Sequence, residues 1–501
     1  MNTDLSRGRA YLALAVVGAG VFVAADDQTV VVTVLPQMML DLNLTVVELD
    51  HTSWIITGYL LGYVAAMPFI GRLSDIWGHR SAFIGSLLLF VIGSAGVALA
   101  TDINWLIGLR VFQALGAGAL VPIAIAIVGD LFPPDKRGAP LGLVGASAEA
   151  GGVIGPLWGG IITKFLAWQW VFWLNIPLCA VIIAGTLILL PKSPRHPARL
   201  DYIGGALVTT SLAALTLALA RIDELDALMV LWFAVAAVSL GLFVLRQSAA
   251  ADPLLPRAMF RARAFVAANA AHLFVGGALI IGMVTVPLMA NTLLGESPLG
   301  GGLMLLRMTA AIPAGAVLGG IACQRYDYRL PTALGLMLAA LGFWLMSGWD
   351  LDIADPWLTV HLATAGFGFG LLIAPIALAA TNSVSDDVRG AAAALITTMR
   401  VVGMTLGVAA LTAWGTGRFD DLVGGIGAPF ALPGETAQQA QARIGEMQQQ
   451  LTDAGLTLFS DFFVVAAALC VVALAPTTFM GWRGRMGKMK GIGKAKRRYC
   501  Q

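Results

Sequence analysis

Apolar runs of about 20 residues recur along the whole chain, parted by short polar stretches. Fourteen can be drawn, at roughly 11–36, 52–70, 81–100, 104–130, 139–163, 171–191, 201–220, 227–245, 264–290, 298–322, 331–348, 357–381, 389–414 and 456–480. At about 1.5 Å per residue, such runs are long enough to cross a bilayer core of ~30 Å as helices. The pattern predicts an all-α membrane protein with 14 transmembrane helices, laid out as six, two and six. The expected units are a six-helix bundle at 1–191, two linker helices within 192–263 and a second bundle at 264–501. The second bundle carries a long loop, 415–456, and a basic tail. In that loop the turn ALPGET precedes QQAQARIGEMQQQLTDAGL, where Ile444, Met447 and Leu451 share one helical face and glutamines cover the rest. Helices thirteen and fourteen are expected either to project beyond the membrane or to end in a solvated surface helix.

Composition narrows the class. Hydrophobic residues make up 58% and charged residues only 12%, far below the roughly 25% charged of soluble domains. An even number of crossings places both termini on one side. That side collects Arg7, Arg9, Arg72, Arg80, Lys136, Arg137, Arg246, Arg257, Arg325, Arg329, Arg389 and the basic residues after Gly481, against Lys164, Arg221, Arg418 and Arg443 on the other. The asymmetry predicts cytoplasmic termini. The four cysteines form no C-x-x-C pair and the five histidines no H-x-x-x-H, so no metal or redox site is expected. No nucleophile triad or phosphate loop is visible either, which argues against an enzyme and against a cofactor. The first span is long and lacks a small-residue cleavage site, so it reads as a retained helix.

A few charges fall inside the spans, where they are expensive and usually functional. Glu149 in span five and Arg400 in span thirteen lie about 15 and 16 Å from the cytoplasmic face, one in each bundle. Arg307 in span ten lies about 13 Å from the outer face and is a rival partner for Glu149. Asp27 in span one and Arg110 in span four also match in depth, both about 9 Å or less from the outer side. Asp26, one residue round the helix, is expected nearer the rim. A carboxylate that gains and loses an arginine can load and release a proton; a static neutralising pair is the alternative.

Several motifs accompany these charges. Span five holds Gly142, Gly151, Gly155, Pro156, Gly159 and Gly160 at the spacing G-x8-G-x3-G-P-x2-G-G. Loop 71–80 reads GRLSDIWGHR, with Gly71, Asp75, Gly78 and Arg80, and CQRYDYR at 323–329 is a degenerate copy after span ten. Span four carries Arg110, Gln113 and Gly116; span one carries Asp27, Thr29, Leu35 and Pro36; WQWVFWLNIP opens span six. As a set these resemble the major facilitator superfamily, and within it the fourteen-helix drug:proton antiporters. The span-five spacing resembles their antiporter motif, the span-four residues their proton-coupling motif, and loop 71–80 the conformational switch loop G-x-L-x-D-R-x-G-R-R. Ile76, His79 and Ala114 depart from those patterns.

The stretches 48–72 and 400–419 are similar to the mycobacterial triacylglyceride exporters of the same superfamily. The resemblance implies the major facilitator fold and a monomer in a bacterial cytoplasmic (inner) membrane. It implies proton-coupled export of a triacylglyceride-like lipid by alternating access, with Asp27, Glu149 and Arg400 in the functional acidic and arginine positions. It also implies a periplasmic lipid-carrier lipoprotein as partner. A multidrug:proton antiporter for lipophilic cations is the alternative, since Asp26, Asp27 and Glu149 could face such drugs. Nucleic acid is not an expected partner.

Overall fold

The computed structural model describes residues 6–42, 49–192, 200–222, 226–250, 252–424, 426 and 436–481. Among them there is no strand, and fourteen long helices follow the fourteen apolar runs. They are α1 (Arg7–Asp41), α2 (Leu49–Trp77), α3 (His79–Leu99), α4 (Ile103–Leu131), α5 (Gly138–Phe165), α6 (Gln169–Leu189), α7 (Tyr202–Ala220) and α8 (Ala227–Ala249). Next come α9 (Arg263–Thr292), α10 in two pieces (Pro298–Thr309 and Ala311–Ala322), α11 (Arg329–Met346), α12 (Trp357–Thr381), α13 (Arg389–Val423) and α14 (Ala437–Val472).

Thirteen spans are apolar and long enough to cross a membrane by composition. α5 is outside that set, because its glycines and Glu149 dilute its hydropathy; it nonetheless packs along α1. α10 is parted at Ala310, three residues before Pro313, whose missing N–H cannot close the helical bond to Thr309. α13 and α14 have 35 and 36 residues, about 50 Å each, well beyond a ~30 Å core. α14 therefore begins nineteen residues before the apolar run, and Thr436 starts it with a capping box to Gln439. Of the turn ALPGET, residues 431–435 lie outside the described residues, as does the basic tail from 482 on.

The same pairing of helices occurs twice. α1 packs on α5 and α6, α2 on α4, and α3 on α4 and α6; α9 packs on α13 and α14, α10 on α12, and α11 on α12 and α14. The halves meet where α5 touches α10 and α12, and where α13 touches α2 and α4, again as mirror roles. α7 and α8 pack on each other, and α7 lies against α2, with Thr209 donating to the Ala65 carbonyl at 3.0 Å.

Both ends of the described chain reach one end of the molecule, the terminal end, where Gly481 lies against Arg329. There Arg9 and Arg80 donate to the carbonyls of Ile188 and Leu187, at 3.0 and 2.7 Å.

Candidate functional site

The first constellation is closed inside the first half. Arg110 and Gln113 are three residues apart on α4 and so share a face. Arg110 donates to Asp27 Oδ2 at 2.6 Å and to Gln113 Oε1 at 2.8 Å. Gln113 Nε2 and Asn175 Nδ2, the latter from α6, both donate to Asp27 Oδ1, at 3.0 and 2.9 Å. The Tyr59 ring lies 4.0 Å from the guanidinium carbon. All five side chains are buried. The network ties α1, α4, α6 and α2 together with its one anion facing one cation.

The second constellation joins the halves. Arg400 Nη2 on α13 meets Glu149 Oε1 on α5 at 2.6 Å, with the side chains 21% and 16% exposed. This pair is thus wetter than Asp27–Arg110, whose side chains are fully buried. Tyr63 on α2 lies within electrostatic reach of both charges. Arg307 is not a partner of Glu149: it donates to Asp355 at 2.8 and 2.9 Å and to Thr359 at 3.0 Å, toward the far end of its own half. Asp26 is buried rather than at the rim, at 7% exposure, and its Oδ1 has no hydrogen-bond partner. It points off the Asp27 face because successive residues on a helix are about 100° apart.

The third lies at the terminal end. Asp75 accepts from the Gly390 and Ala391 amides at 2.7 and 3.0 Å, so a carboxylate from the first half caps the first turn of α13. His79 bridges Asp75 Oδ1 at 3.3 Å and Asp130 Oδ2 at 2.6 Å; two carboxylates only accept, so the bridge suits a doubly protonated ring. Arg389 reaches Asp130 at 3.4 Å and also pairs with Asp386. Arg72 donates to the Asp387 carbonyl at 2.9 Å. Gly71 lies so close to Ala394 that a Cβ there would collide, and Gly78 makes the turn into α3 at φ 90°. Arg80, grouped with this loop by sequence, instead holds α3 to α6 of its own half.

On the other flank Arg137 is fixed to the Gly129 and Phe132 carbonyls and donates to Asn382 Oδ1 at 2.5 Å, while Asn382 donates to the Tyr328 hydroxyl. Burial, then the nearby Arg389 charge, lower the Arg137 pKa to about 10, so it stays a cation at neutral pH. Every one of these contacts between halves lies at the terminal end or at the depth of Arg400.

The α5 glycines divide by neighbour. Gly151, Gly155 and Gly159 face α1, where a Cβ would strike the Phe22 carbonyl, Thr29 and Thr33. Gly142 and Gly138 face Ala316 and Gly320 of α10 across the halves. Gly160 has nothing within 4 Å, and Pro156 sits within the helix without breaking it. Sequence reasoning missed Asn175, Asp130, Arg389, Arg137 and Asn382 as site residues. Asn175 had a signal in WQWVFWLNIP, and Asp130 and Arg389 sit at helix ends, where charges are ordinary.

Comparison with known proteins gives a concordant picture. A family model described as Major Facilitator Superfamily matches residues 17–408. The chain is 35% identical to a triacylglyceride transporter of Mycolicibacterium hassiacum, over 95% of this chain and 92% of that one. It is 35% identical to a triacylglyceride transporter of Mycolicibacterium smegmatis, over 93% and 87%. Among solved structures, the human organic anion transporter MFSD10 aligns with a TM-score of 0.59 at 14% identity, covering 92% of this chain and 99% of that one. The proton:xylose symporter XylE aligns at 0.58 and 13% identity, covering 93% and 95%. At such identities the structural likeness speaks for the fold alone.

Proposed function

The chain belongs to the Major Facilitator Superfamily, and from that premise we propose that it is a proton-coupled exporter of triacylglyceride-like lipid. It works from a bacterial inner membrane with cytoplasmic termini, as a monomer, by rocking residues 1–191 against 264–480. The observation that carries the transport reading is the Glu149–Arg400 pair, one charge from each half at mid-depth. The lipid follows from the names of the relatives, triacylglyceride transporters at 35% identity over most of both chains.

In this reading the terminal end is the cytoplasmic gate, shut here by Asp75, Arg389 and Arg137. Glu149 is the proton carrier. Protonated, it loses its charge and its hold on Arg400, and the halves part; deprotonated, it restores the pair. Asp27 already accepts from three side chains, so protonating it would break a closed network; its role is to hold α1 against α4 and α6. The long α13 and α14 carry lipid past the outer face toward a periplasmic lipid-carrier lipoprotein.

The test is reconstitution in liposomes with labelled triacylglyceride and ethidium side by side, with and without a pH gradient. Lipid movement should depend on the gradient and fall at least about tenfold in Glu149→Gln, a loss of roughly 1.4 kcal/mol of coupling. Gradient-driven ethidium movement without lipid movement would sink the lipid assignment.

A further inference from the structure

His272, on α9, belongs to none of the motifs above. Its ring is buried, at 8% exposure, and Nδ1 lies 2.8 Å from the Ile396 carbonyl oxygen on α13. A carbonyl only accepts, so Nδ1 carries the hydrogen and a neutral ring keeps its lone pair on Nε2. Nε2 is buried and has no hydrogen-bond partner. His272 and Arg400 line one small cavity of about 10 Å³, room for about one water, whose other walls are Val275, Leu279, Ile312, Phe369, Leu372 and Ile373. An acceptor lacking a donor thus shares an otherwise apolar chamber with a guanidinium. Both belong to the same half, whereas Glu149, the present partner of that guanidinium, belongs to the other.

We propose that His272 is the second partner of Arg400. When the halves part and Glu149 is withdrawn, the guanidinium turns to the Nε2 lone pair, directly or through one water. A buried cation stripped of its partner is costly, and a neutral imidazole supplies an acceptor without adding charge. The proposal rests on the reading that the halves rock about the Glu149–Arg400 pair.

Protonating His272 would remove that lone pair and set a second positive charge against Arg400, so the neutral ring is the form that acts. Arg400 is the charged group among the described residues that acts on the ring. Glu149, from α5, reaches it through Arg400, and the cavity residues of α10 and α12 are apolar. Loss of the Glu149 charge is what releases Arg400 to the ring. Two variants separate the contributions: His272→Gln keeps an acceptor that does not protonate, and His272→Leu removes it.

The experiment uses the full chain in lipid nanodiscs with spin labels on Lys136→Cys and Arg325→Cys, exposed positions at the terminal end of each half, and with Cys323 and Cys500 replaced by serine. Electron–electron double resonance gives the ratio of parted to closed molecules. At about pH 8 the native residue and His272→Gln should agree, and His272→Leu should hold on the order of fivefold less of the parted form. His272→Phe, which fills the space of the ring without an acceptor, should fall together with His272→Leu. A ratio for His272→Leu or His272→Phe equal to the native one would overturn the proposal, and whichever of the two variants folds decides it. No cargo is needed. Labels that respond as expected in a chain that moves no lipid keep this proposal and discard the lipid reading. A single distance under every condition discards both the rocking premise and this proposal.

Discussion

Arg110 is fully buried, and Asp27 is the carboxylate that answers its charge. Removing one member of such a couple strands the other, which costs about 3–5 kcal/mol. Asp27→Asn and Arg110→Ala are therefore expected to lower thermal stability in detergent sharply. Glu149→Gln, at a site partly open to solvent, should leave the unfolding temperature nearly unchanged while transport is lost. Comparable unfolding for Asp27→Asn and Glu149→Gln would contradict this division between a structural and a working pair. Depth arithmetic along the sequence brought each of these pairs within reach, because rise per residue is fixed. It could not choose between Arg400 and Arg307 for Glu149. Depth says nothing of the direction a side chain leaves its helix, and Arg307 turns to Asp355 instead.

Single helices carry the next level of argument. On α5, Gly155 lies where any side chain would meet Thr29 and the Asp26 carbonyl of α1, whereas Gly160 meets nothing. Gly155→Leu is expected to force α1 away and cost on the order of 3 kcal/mol or more. Gly160→Ala should stay within about 0.5 kcal/mol of the native chain. Both are read from thermal unfolding and membrane yield, and equal tolerance would show that the glycine spacing is not a packing device. The motif was legible as a spacing, yet which glycines face a neighbour depends on how α5 is rotated against α1 and α10. Apolar runs likewise gave all fourteen helices. They hid the length of α14, whose glutamine-rich part has no membrane signature and reads equally as a loop or a surface helix.

Over the whole molecule, the repeated pairing of helices makes the two halves structural counterparts, and the terminal end is held at two separated points. One is Asp75 on the Gly390 and Ala391 amides beside the Asp130–Arg389 pair; the other is Arg137 with Asn382 and, through it, Tyr328. Arg137→Ala should leave the halves joined on one flank only and raise the parted fraction several-fold, read from labels placed as above; an unchanged distance distribution would show that the second point bears no strain. Neither point was fully legible in the sequence. Arg137, Asp130 and Arg389 look like the ordinary charges that end a membrane helix, and only the fold brings residues about 250 positions apart together.

The amides of Gly390 and Ala391 end on a carboxylate from the opposite half, so they are shielded from water only while the terminal end is shut. In the proposed cycle, each parting of the halves exposes both at once. Their deuterium uptake, compared with amides deep in α13, would then act as a counter of opening events, running faster in any variant or condition that quickens the cycle.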